Sequence, residues 1–289
     1  ALDASDRILA IRQQRAAADP NNVEHQRSLF KALMFRGDAL GNPDAFHLGR
    51  TADAIAAYQK AKAIAEKLLA ADPNNALARG DVSEVHRTLA VTTVDSDPRQ
   101  ALALAERALE ESLVLVKGSK HTLAFLHNSA NCHVAIARAQ RKLGRQQEAE
   151  KHLVEAVRLQ RSIADSRPGQ PGLRHNMILT LTLLGQVQMD QGRVAAARAS
   201  VGEAIAVAET VERDRSFRGK IADLAAAHGA AGRLAVLDRQ DAATARASYR
   251  KALGLLEELA QSGIGAHYVR AHRDPLNRAM AELPATSLR

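Results

Sequence analysis

The chain has 289 residues, 46% apolar but only 3% aromatic and without tryptophan, so its interior must be assembled from alanine, leucine, valine and isoleucine. That composition suits closely packed helices and disfavours a strand-built core, while the lone Cys132 excludes an internal disulfide and any cysteine cluster for zinc or iron, and leaves the compartment open. The net charge of +8 invites a nucleic-acid partner, but 6 of those charges fall within residues 101–200 without the interleaved aromatics that stack bases, so none is expected.

In chain order, residues 1–19 read as one helix, because RILAIRQQRAAADPNN lays onto KAKAIAEKLLAADPNN when Asp19-Pro20 is placed on Asp72-Pro73. Proline disfavours helical geometry in the residue before it, so each Asp-Pro closes a helix. Val23–Leu40 is the next helix, with Leu29, Leu33 and Phe35 among its apolar positions. The stretch Gly41–Arg50, GNPDAFHLGR, is an insertion: Gly37 to Gly49 spans 12 residues where Ala137 to Gly144 and Gly185 to Gly192 span 7. Asn42-Pro43 restricts its backbone, which predicts an ordered loop with Phe46 or Leu48 packed back. Further helices are expected over Asn75–Val94, Pro98–Lys117, His121–Leu143, Gln146–Asp165, Leu173–Gln191, Val194–Glu212, Phe217–Leu237, Ala242–Gln261 and Ala266–Ala279. No apolar run reaches the 18 or so residues of a membrane span; Met177–Leu184 includes two threonines and is far too short.

A stripe of small, large and small residues recurs along these elements. Gly49, Ala54, Tyr58 and Ala61 return as Gly144, Ala149, Leu153 and Ala156, as Gly192, Ala197, Val201 and Ala204, and without the glycine as Ala101, Ala105 and Ala108 and as Ala245, Tyr249 and Ala252. The last marks, 61, 108, 156, 204 and 252, stand 47, 48, 48 and 48 apart, which is the signature of a repeat array. Positions four and three apart share one helix face, with alanine where a neighbour comes close. Each preceding helix carries its own small residue: Gly37, Ala90, Ala137, Gly185 and Gly232.

These marks resemble the tetratricopeptide repeat, in which a first helix carries a large then a small residue and a second helix carries the small, large, small stripe. The resemblance covers nearly the whole chain, although 48 residues exceed the family's unit of about 34 and leave roughly two extra turns per helix. It implies an all-α, right-handed α-solenoid of antiparallel helix pairs, about 12 helices in a single domain over 1–289. The N-terminal helix would be followed by pairs at 23–72, 75–117, 121–165, 173–212 and 217–261 and by a capping helix at 266–283. More narrowly, RGDALGNPDAFHLGRTADAIAAYQKA resembles a segment of the tetratricopeptide region that follows the kinase domain in certain bacterial serine/threonine protein kinases. Gly37, Asp38, Gly41, Asn42, Pro43, Leu48, Gly49, Thr51, Ala54, Tyr58, Lys60 and Ala61 match, while His47 and Arg50 depart.

Catalytic motifs fail on context. His272-Arg273-Asp274 spells the kinase tripeptide, but Ala279 stands where the metal-binding asparagine belongs, and no glycine-rich loop or Asp-Phe-Gly accompanies it. His121, His127 and His133 are six apart, a spacing that turns them to different sides of a helix and away from a common metal. Cys132 and His133 diverge by about 100° on a helix and cannot act as nucleophile and base. No enzyme and no cofactor is expected.

What remains is recognition. In the tetratricopeptide family the first helices line a groove, and the resemblance places Lys31, Met34, Asp38, Glu84, Arg87, Val91, Leu179, Thr182, Gln186, Met189, Gly229 and Arg233 there. It also places Asn131, Val134, Arg138 and Arg141 there, whose spacing of three, four and three keeps them on one helix face. The expected partner is a protein or peptide, acidic or phosphorylated, bound chiefly at Asn131, Val134, Arg138 and Arg141 and otherwise at Arg87, Thr182 or Gln186. The chain then reads as a regulatory region of a larger bacterial signalling protein such as a kinase. A small-ligand sensor with a pocket between the long helices is the alternative.

Overall fold

The computed structural model describes residues 2–118, 123–168, 170–210, 218–238, 242–263 and 266–284. Among them are twelve α-helices, a 3-10 turn at Pro171–Arg174, and no strand. The helices group into two compact units, Ala1–Gly144 and Arg145–Arg289.

The first unit holds α1 (Leu2–Ala18), α2 (Val23–Gly41), α3 (Thr51–Ala71), α4 (Ala76–Thr93), α5 (Pro98–Gly118) and α6 (Leu123–Lys142). Helix ends fall where the local chemistry puts them. α1 and α3 stop one residue short of Asp19-Pro20 and Asp72-Pro73. Asn22 accepts from the His25 amide at 3.1 Å, and Asn75 accepts from the Leu77 and Ala78 amides at 3.1 and 3.0 Å, each satisfying donors that a helix start leaves orphaned. Gly49 turns the chain into α3 at φ 77°, in the left-handed region that a side chain would resist.

Each helix packs on the next, and α4 also meets α6. α2 and α3 run antiparallel: a Cβ on Gly41 would lie 2.7 Å from the Thr51 Cα, and one turn back a Cβ on Gly37 would lie 2.3 Å from the Tyr58 ring. The small residue of the first helix therefore receives the large residue of the second. Phe30, Leu33, Met34 and Leu40 join Tyr58, Val82, Val85 and Leu89 in one core. Phe35, expected among the apolar positions, is instead exposed. It follows Met34 by about 100° around the helix, which turns it off the buried stripe.

The second unit holds α7 (Gln146–Asp165), α8 (His175–Asp190), α9 (Val194–Thr210), α10 (Arg218–Leu237), α11 (Ala242–Gln261) and α12 (Ala266–Ala281). The same rule operates here. A Cβ on Gly185 would come 2.5 Å from a Val201 methyl, and one on Gly232 would come 2.5 Å from the Tyr249 ring. Pro275 lies inside α12, which runs on to Ala281 instead of ending at Ala279. The expected helix ends at His121, Glu212 and Phe217 lie outside the described residues.

The closing alanines of all five stripes, Ala61, Ala108, Ala156, Ala204 and Ala252, are 0% exposed, so the periodicity located the close contacts. Leucine at 156 has no room to enter. Ala156→Leu should lower stability by about 1–3 kcal/mol through overpacking, read by urea titration. A variant that unfolds at the wild-type midpoint would show that the register is misread.

Candidate functional site

On the first unit, the insertion closes over the ends of α2 and α6. Its anchor is Asp38, whose Oδ1 accepts from the Tyr58 hydroxyl and from the Asn42 side-chain amide, both at 2.7 Å. Asn42 Oδ1 in turn accepts from the Asp44 amide at 3.0 Å. The loop returns through the Leu48 amide to the Ala39 carbonyl (3.1 Å) and the Arg50 amide to the Leu40 carbonyl (2.8 Å). Burial, followed by the Asp38 carboxylate, pushes the Tyr58 hydroxyl well above its ordinary pKa, so it stays a donor. The loop is ordered as Asn42-Pro43 suggested. Phe46 is half-buried and Leu48 is exposed, so of the two only Phe46 packs back.

This scaffold points Asp44 at α6. Arg138 Nη1 reaches Asp44 Oδ1 at 2.6 Å, with the side chains 19% and 31% exposed. Burial alone would raise the Asp44 carboxyl, but the Arg138 charge and hydrogen bond, with the Arg87 charge, hold it below its usual value.

Arg87, on α4, is surrounded but poorly bonded. Its guanidinium makes one long hydrogen bond, 3.4 Å to the Thr88 hydroxyl, and its Nε is buried with no partner. Its charge is felt by groups from three helices and the loop. Burial raises the Glu84 carboxyl and lowers the His127 imidazole; Arg87 opposes the first shift and adds to the second. Burial also lifts the Cys132 thiol to about 11, against Arg87 and a Ser83 hydroxyl 3.8 Å away. Cys132 is therefore a protonated, enclosed thiol, with none of the thiolate character a nucleophile requires.

The expected recognition residues divide. Arg87, Asn131, Arg138 and Arg141 are half-buried in the first unit, within reach of a ligand. Val134, expected beside them, is buried among the helices. Lys142, at the end of the stripe, forms an ion pair with Asp95 at 2.5 Å, so the basic character there is already partly neutralised.

In the second unit Thr182 is buried, its hydroxyl bonded to the Ile178 carbonyl at 2.7 Å, which removes it from recognition. Gln186 lines a cavity of about 690 Å³ walled by α10, α11 and α12, chiefly by Ala222, Ala226, Ala230, Tyr249 and Leu276. Arg233 reaches the same cavity and forms an ion pair with Asp190 at 2.7 Å. His272, Arg273 and Asp274 are exposed along α12. Among the described residues no group of His, Cys, Asp and Glu is arranged to hold a metal, and no helix is long and apolar enough to cross a membrane.

Sequence reasoning missed the Asp38, Asn42 and Tyr58 network and the Asp44 to Arg138 pair. The first had a local signal, since Asp38 and Asn42 stand four residues apart, one helical turn, at the end of α2. The second had none, as its partners are 94 residues apart with no spacing rule between them.

The helices and stripes form an all-helical repeat array similar in fold to tetratricopeptide-repeat proteins. Residues 130–163 match the tetratricopeptide repeat family model. None of the curated proteins matches the chain in sequence. Among solved structures, BtubC (BKLC) from P. vanneervenii is 18% identical over 81% of this chain and 94% of its own, at a TM-score of 0.51. Aspartyl phosphate phosphatase F from Bacillus subtilis is 17% identical over 92% of this chain, which spans 61% of that protein's length, at a TM-score of 0.53. The apo form of RapI is 14% identical over 95% of this chain and 67% of its own, at a TM-score of 0.51. At such identities the likeness is one of fold.

Proposed function

We propose that the chain is a non-catalytic scaffold that holds a protein or peptide, with the first-helix face of the first unit as its recognition surface. The observation that carries this reading is Arg87: a half-buried guanidinium bonded only to the Thr88 hydroxyl at 3.4 Å, whose charge is felt by side chains of α4, α6 and the 42–50 loop. A protein does not ordinarily leave buried donors unmade, and an arginine fork is suited to carboxylate and phosphate. Arg138, Arg141 and Asn131 lie on the neighbouring α6, so the preferred ligand is an acidic or phosphorylated peptide, its charges paired by arginine and its backbone held by Asn131. The resemblance of residues 36–61 to the repeats that follow certain bacterial kinase domains is the ground for placing the scaffold in a larger bacterial signalling protein such as a serine/threonine kinase.

Calorimetric titration with acidic and phosphorylated peptides tests it. Binding should weaken as salt rises and fall at least about tenfold when Arg138 and Arg141 are both changed to Glu, about 1.4 kcal/mol or more. Equal affinity in the charge-reversed protein would remove α6 from the recognition surface.

A second reading, a small-ligand sensor, is favoured by the cavity beside Gln186. Its volume of about 690 Å³ suits a metabolite-sized ligand, and its lining is largely apolar with a few polar groups. Crystals grown with the native ligand would separate the two readings, extended density along α4 and α6 meaning peptide and compact density beside α10 meaning a metabolite.

A further inference from the structure

We propose that Arg138, with the Arg87 charge nearby, forms a carboxylate seat whose resident occupant is Asp44 of the chain's own 42–50 loop, and that a bound peptide exchanges an aspartate or glutamate side chain for it. The inference rests on the peptide-binding reading and names the ligand's chemistry and its competitor. Three observations carry it. Asp44 crosses from the loop to Arg138 at 2.6 Å, so a peptide-borne carboxylate demonstrably fits against α6. The loop does not depend on that contact for its order, because Asn42, Asp38 and Tyr58 and the two backbone bonds to Ala39 and Leu40 already fix it. The surroundings favour an anion there, since Arg87 on α4, itself bonded only to the Thr88 hydroxyl at 3.4 Å, adds positive charge that is felt at Asp44.

The pair's exposure makes exchange feasible. With 31% of Asp44 and 19% of Arg138 open to solvent, the contact is neither sealed nor strongly stabilising, and a ligand can approach it. An incoming carboxylate recovers at Arg138 what Asp44 loses. Asp44, tethered within the same unit, acts as a competitor at high local concentration, which lowers the apparent affinity by the fraction of time the seat stands empty.

The test uses protein labelled with ¹⁵N at arginine, read by NMR through the side-chain Nε–H signals. The probe is a blocked peptide copying the loop, Asn-Pro-Asp-Ala-Phe-His, with a control in which asparagine replaces its aspartate. The Asp44→Asn variant should bind the aspartate peptide at least about tenfold more tightly than wild type, corresponding to a seat open a tenth of the time or less. The Arg87 and Arg138 signals should both move, and the control peptide should leave them in place. Asp44→Ser serves as a second variant, and both should melt with wild type because the loop keeps its other bonds. Equal affinity of wild type and Asp44→Asn, lost in Arg138→Gln, would overturn the exchange while leaving the peptide-binding face standing. Failure of either arginine to respond in any of the proteins would overturn both readings.

Discussion

Gly37→Ala is expected to destabilise the first unit by about 2 kcal/mol, although the same exchange in an open helix interior stabilises by about 1 kcal/mol because alanine is the better helix former. The added Cβ would lie 2.3, 2.6 and 2.8 Å from three atoms of the Tyr58 ring. That ring is fully buried, and its hydroxyl is tied to Asp38 at 2.7 Å, so it cannot swing aside without breaking the loop's anchor. Overpacking of this kind costs up to about 3 kcal/mol, which outweighs the propensity gain. Gly254, inside α11, is the control: nothing lies within 4 Å of its would-be Cβ, and Gly254→Ala should stabilise by up to about 1 kcal/mol. Leucine in place of Tyr58 should then rescue part of the Gly37→Ala loss, since the third repeat combines alanine at 137 with leucine at 153. Urea titrations of the two single variants and the double would yield a coupling energy of about 1–3 kcal/mol. Additive losses would mean the ring and the glycine do not determine one another.

The same pair shows why so much of the fold was legible. Helix spacing assigns a residue to a face without reference to anything distant, so the marks from Ala54 to Ala252 located the buried stripes, and Gly37, Gly185 and Gly232 located the close approaches. The glycines at 49, 144 and 192 marked turns for an equally local reason, each adopting a positive φ. The recognition face was legible only in part. Arg87, Asn131, Arg138 and Arg141 lie within reach of solvent, but Met34, Val91, Val134, Thr182 and Met189 were expected on the same face and are buried, because how far a face is covered depends on how neighbouring helices pack. Phe35 fails in the opposite sense, a large apolar residue on the wrong side of α2. Ion pairs leave no periodic trace at all. The contacts from Arg138 to Asp44 and from Lys142 to Asp95 turn part of an apparent basic stripe into ion pairs within the unit, and both join residues that only the tertiary fold brings together.

The second large effect concerns such a pair. Arg27→Met should destabilise the first unit by about 3 kcal/mol, at the low end of what breaking a buried ion pair costs. Arg27 on α2 grips Asp81 on α4 with both arms of its fork, Nε to Oδ2 at 2.6 Å and Nη2 to Oδ1 at 3.1 Å. The two ends are unequal: the Asp81 side chain is 6% exposed and Arg27 27%, so the arginine can return to water when its partner is lost but the aspartate cannot. Removing the arginine is therefore the costly direction, since it leaves an enclosed carboxylate without its cation, in a unit where Glu84 adds a second negative charge one turn along α4. Replacing both ends by apolar residues, Arg27→Met with Asp81→Leu, should recover stability to within about 1 kcal/mol of wild type, because the pair's desolvation cost nearly cancels its attraction. Urea unfolding at neutral pH measures all three proteins. If Arg27→Met alone costs less than about 1 kcal/mol, water reaches Asp81 in the variant, and the link between α2 and α4 rests on the Phe30, Leu33, Val82 and Val85 core instead.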